Sequence, residues 1–116
     1  DNKQLIIDGE CDTWISIIHN EITNIKLHSN IDNNNTKKNM IETLDKIIYQ
    51  LNHIIDNLKD NDFKNIKGAD DEISNIINEL NKSKKLNEIK PTQANKIIEY
   101  LNDFKETLQN IKDCAN

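Results

Sequence analysis

Arginine and valine are both missing from this 116-residue chain, and residue types that carry chemistry are scarce. All 15 cations are lysine. Net charge is -5, with acids and lysines interspersed, so no basic face is present for nucleic acid. Two glycines exclude a glycine-rich phosphate loop, and no G-x-S-x-G marks a nucleophile. Apolar residues reach only 35%, below the roughly 45–50% of ordinary globular chains. No apolar run approaches the ~18 residues of a membrane span. The three histidines, His19, His28 and His53, lack metal-ligand spacing and are expected at the surface. A di-metal bundle needs inward carboxylates on its helices, and the stripes here are hydrocarbon. Neither enzymatic activity nor a metal or cofactor is expected.

Isoleucine is abundant instead, with 21 copies, followed by 20 asparagines. Ile, Asn and Lys share A/T-rich codons, so this bias reads as a genome signature. The length fits one domain with a modest core.

Apolar periodicity predicts four helices. The first covers about 9–30, with Cys11, Ile15, Ile18, Ile22 and Ile25 on one face. Residues 1–8, containing Leu5-Ile6-Ile7, read as a lead-in that either forms an exposed apolar patch with Ile17 or, the preferred reading, folds back over it. The Asn-rich stretch from Asn30 to Asn35 reads as a loop, with Thr36 as an N-cap. The second helix covers 36–60. Its stripe is Ile41, Leu44, Ile48, Leu51, Ile55 and Leu58, with Met40, Ile47 and Ile54 as a further column. Three apolar columns suit a helix packed on two neighbours. A third helix covers 62–83, with a possible break at Gly68 acting as a C-cap. A lysine-rich connection follows from Lys82 to Lys90. The fourth helix covers 91–114, opening at Pro91 and striped by Ala94, Ile97, Leu101, Phe104, Leu108 and Ile111.

The two cysteines complete the topology. Cys11 lies near the start of the first helix and Cys114 at the end of the last. In an up-down-up-down four-helix bundle those ends are neighbours. The expected fold is therefore all-α, an up-down-up-down bundle closed by a Cys11–Cys114 disulfide. Such a bridge points to a secreted protein, and the sequons at Asn34 and Asn81 agree with secretion. Closing a loop of about 100 residues is worth up to ~4.7 kcal/mol in the chain-entropy model.

Function is expected to lie on the surface. Tyr49 should face outward, and aromatic residues are enriched among binding anchors. Ile17, Lys84 and Lys85 are further candidate contacts. Trp14 and Tyr100 are expected as half-buried rings on neighbouring helices. The reading is a secreted, non-enzymatic binding protein acting on a protein partner, such as a parasite or arthropod salivary or venom effector or inhibitor. The alternatives are a carrier of a small apolar ligand or lipid inside the bundle, or a fragment of a surface adhesin.

Overall fold

The apolar stripes pack four helices side by side. This computed structural model describes the backbone at residues 2–28, 34–61 and 63–115, and side chains between residues 9 and 113 of those stretches. The helices are α1 (Asn2–Leu27), α2 (Asn34–Asp60), α3 (Ile66–Lys85) and α4 (Pro91–Ala115). No strand occurs among the described residues. Each helix packs on its neighbours in sequence, and α1 closes against α4. Cross-links fix the directions. Asp12 meets Lys59 while Lys26 meets Asp45, so α1 and α2 are antiparallel. Lys84 meets Asn95 while Lys105 meets Ser74, so α3 and α4 are antiparallel as well. The result is a rod of 50 × 21 × 21 Å. No helix among the described residues is long and apolar enough to cross a membrane.

The core is almost wholly aliphatic. Ile18, Ile22, Leu44, Leu51, Ile73, Leu80, Ile97, Leu101 and Phe104 are fully buried. The phase of α2 differs from the expected one. Met40, Leu44, Ile47, Leu51, Ile54 and Leu58 point inward, whereas Ile41 and Ile48 are half-buried flanks. Both sets alternate spacings of three and four. The winning set is centred on the column that meets α1 and α3 together.

Helix boundaries depart from expectation where a single residue was read as punctuation. α1 is already helical at Asn2, so residues 2–8 extend the helix and do not fold back over Ile17. Gly9 lies inside it with open space around it. A glycine inside a helix costs about 1 kcal/mol, which does not break a long one. α1 ends at Leu27 rather than Asn30. Most of the expected 30–35 loop lies outside the described residues, but Asn34 already opens α2. Thr36 therefore sits in the first turn and is not the N-cap.

The corner before α3 is the largest correction. Gly68 is no C-cap, and α3 starts at Ile66 rather than 62. The side chain of Asn65 caps α3, its Oδ1 accepting from Gly68 N at 3.2 Å. A Cβ at Gly68 would lie 2.6 Å from Asn65 Nδ2, so glycine makes room for the cap. Phe63, at φ 60°, tucks its ring beneath this corner and is buried.

α3 ends in a Schellman motif. Glu88 N donates to Ser83 O at 3.0 Å, and Asn87 N donates to Lys84 O at 3.2 Å. Asn87 takes the left-handed conformation that this turn requires, at φ 60°. Asn tolerates that region better than most residues. The expected lysine-rich connection is thus partly helix, and Ile89 anchors the remainder in the core. Pro91 then occupies the first turn of α4 as expected, and Ala94 N bonds to Lys90 O at 2.9 Å.

Candidate functional site

Each seam between helices carries a polar border outside the apolar core. On α2 the border facing α3 is Thr43, Lys46, Gln50, His53 and Asn57, spaced three and four apart. On α3 the facing border is Glu72, Asn75 and Glu79. Lys46 Nζ bonds to Glu79 Oε1 at 3.2 Å and ties the two borders together. One turn further along, the borders separate into a cleft of about 220 Å³, lined by Tyr49, Gln50, His53, Glu72 and Asn75.

This cleft gathers unsatisfied polar chemistry. Tyr49 stands at its rim and is 74% exposed, the most exposed large hydrophobic among the described residues. Gln50 Oε1 is buried and has no hydrogen-bond partner. A buried acceptor left unpaired costs about 1–3 kcal/mol. Glu72 is half-buried and belongs to none of the five ion pairs among the described residues. His53 is exposed, and its Nε2 accepts from the Asn57 amide at 3.1 Å. Next to the cleft, Ile54, Asn57, Asn65 and Gly68 line a much smaller depression.

The other candidates from the sequence are scattered. Ile17 is half-buried on α1, away from the α2–α3 seam, and the side chains of Leu5, Ile6 and Ile7 that would extend a patch lie outside the described residues. Lys84 is half-buried and bonded to Asn95 Oδ1 at 3.0 Å, which assigns it to the α3–α4 seam. Lys85 is exposed at the end of α3. Asn34 is exposed at the start of α2, but Asn81 is half-buried within α3 and its sequon hydroxyl, Ser83, is buried. Cys11 is buried on α1 against the core. Cys114 lies in the last turn of α4, and its side chain is outside the described residues. The expected bridge is therefore not shown.

The histidines divide. His28 and His53 are exposed, as expected. His19 is half-buried with Nε2 unpartnered, which corrects its surface placement. It lies midway between Asp12 and Lys26, at the level of Asn52 on the α1–α2 seam. Trp14 Nε1 donates to Thr107 Oγ1 at 3.0 Å and pins α1 to α4. Trp14 and Tyr100 both pack against the core as half-buried rings.

Tyr49 faces outward as expected, whereas Gln50 and Glu72, which line the cleft with it, are not singled out by the sequence. A signal was present: a polar column at spacings of three and four beside an apolar stripe marks the edge of a helix seam. Comparison with protein-family models, with curated proteins and with solved structures finds no match to this chain.

Proposed function

We propose that this chain is a secreted, non-enzymatic binding protein that engages a protein partner through its α2–α3 face. The observation that carries the reading is Tyr49, 74% exposed at the rim of a cleft lined also by Gln50 and Glu72. An exposed aromatic ring at the rim of a cleft has the most to gain from an incoming surface. The A/T-rich codon signature supports the more specific form, an effector or inhibitor from a parasite or an arthropod secretion acting on a host protein. A carrier reading has less support, because the interior is filled by Ile, Leu and Phe side chains. The test is capture from host plasma or tissue extract with wild-type and Tyr49→Ala baits of equal melting temperature. Loss of a hot-spot ring weakens binding by about 2 kcal/mol or more, so the captured band disappears. An unchanged band with Tyr49→Ala overturns the assignment of this face.

The same reading includes the Cys11–Cys114 bridge, which belongs to an oxidising compartment. Its support is the burial of Cys11 and the packing of α1 on α4. Intact mass after alkylation under native, non-reducing conditions should show no added label. Two alkylated thiols would remove both the bridge and the main argument for secretion.

A further inference from the structure

We infer that the α2–α3 cleft receives one arginine side chain from the protein partner. This rests on the surface-binding reading and names the chemistry of its contact. Of the five residues that line the cleft, Glu72 and Tyr49 decide what it can receive. Gln50 closes part of its wall, with its Oε1 buried and out of reach of an incoming group. Glu72 supplies a carboxylate outside every ion pair among the described residues, with the His53 imidazole in the same lining. Tyr49 supplies an exposed aromatic face at the rim.

Charge selects a cation. No lysine lines this cleft, and the neighbouring Lys46 and Glu79 neutralise each other at 3.2 Å. Glu72 is thus the uncompensated charge at the site, on a chain of net charge -5. Size selects a side chain. About 220 Å³ is below the ~300–1,000 Å³ of pockets that hold drug-sized ligands. Geometry favours guanidinium over ammonium. A planar fork donates two N–H groups to one carboxylate at once, and its face stacks on an aromatic ring. An ammonium is a compact point charge that keeps its water more strongly.

The alternative candidate, His19 on the α1–α2 seam, has an unpartnered ring nitrogen but does not line the α2–α3 cleft. Lys82, Lys84 and Lys85 line a shallow, open depression with Asn78 and Asn81, and no buried polar atom there awaits a partner.

The experiment titrates the ¹⁵N-labelled chain with three capped tripeptides, Gly-Arg-Gly, Gly-Lys-Gly and Gly-citrulline-Gly. The arginine peptide should shift the amides of Tyr49, Gln50, Glu72 and Asn75, saturating in the millimolar range. Citrulline keeps the shape and loses the charge, and should produce no saturable shift. The lysine peptide should bind more weakly than arginine. Glu72→Gln should weaken arginine binding about tenfold or more, as expected for a charge-assisted hydrogen bond. Tyr49→Ala should weaken it about two- to fivefold. Both residues are exposed or half-buried, so both variants should keep the wild-type spectrum elsewhere. Equal shifts from arginine and citrulline, tighter binding of lysine, or an unaffected Glu72→Gln would each overturn the inference. Because the probe replaces the natural partner, such a failure leaves the surface-binding reading to be judged by the capture experiment alone.

Discussion

Leu51→Ala is expected to destabilise the bundle by about 2–5 kcal/mol. Leu51 is 0% exposed in the middle of α2, on the column that faces both neighbouring helices. Truncation there removes transfer energy and leaves a void that four stiff helices cannot collapse into. Ile48→Ala removes as much hydrocarbon from a half-buried flank, and should cost less than half as much. His53→Ala, at an exposed position, should stay within about 0.5 kcal/mol. Urea unfolding reports all three, provided the m-value holds constant. Equal costs for Leu51→Ala and Ile48→Ala would mean that α2 is rotated from the orientation described.

Phe104→Ala should have a comparable or larger effect, about 3–5 kcal/mol. Phe104 is the largest fully buried side chain and the only ring among the fully buried residues. It lies on α4, which packs on both α1 and α3, so its loss loosens two seams at once. Single domains are stable by about 5–15 kcal/mol, so this substitution consumes much of the margin. Thermal melts should show the midpoint falling by ~10 °C or more. Phe104→Leu retains most of the volume and should recover over half of the loss. A drop of only ~1 kcal/mol for Phe104→Ala would show that the ring is not tightly enclosed.

Helix number, order and core composition were readable from periodicity because each stripe is long and nearly pure hydrocarbon. α4 matches its expected 91–114 span almost to the residue, because Pro91 is a start signal with one meaning. Glycine and asparagine carry several meanings, and the errors cluster at them. Gly68 beside lysines resembled a helix end, yet its role is to leave space for the Asn65 cap at a helix start. Gly9 resembled a boundary, yet packing carries α1 through it. The phase of α2 was ambiguous because Ile47 and Ile48 are adjacent and equally apolar. Only the position of α1 and α3 decides which of them turns inward. The cleft was half legible. Tyr49 is conspicuous on an otherwise polar face, whereas Gln50 and Glu72 become a site only when two helices are placed side by side.

The preponderance of isoleucine in the core has a consequence for order. Isoleucine is branched at Cβ, and in a helix its first torsion is confined to one rotamer about 90% of the time. Such a side chain gives up only ~0.5–1 kcal/mol of rotamer freedom on burial, against up to ~2 for flexible ones such as methionine. Ile18, Ile22, Ile25, Ile47, Ile54, Ile73, Ile76 and Ile97 therefore enter the interior already close to their final shape. A core built this way lacks the slack to re-form around a new volume, so Ile→Phe should be felt as misfit, at about 1–3 kcal/mol or more, while the equal-volume Ile→Leu swap costs less. The bundle is thin in hydrocarbon yet stiff in detail, and that stiffness is what holds the rims of α2 and α3 at a fixed separation.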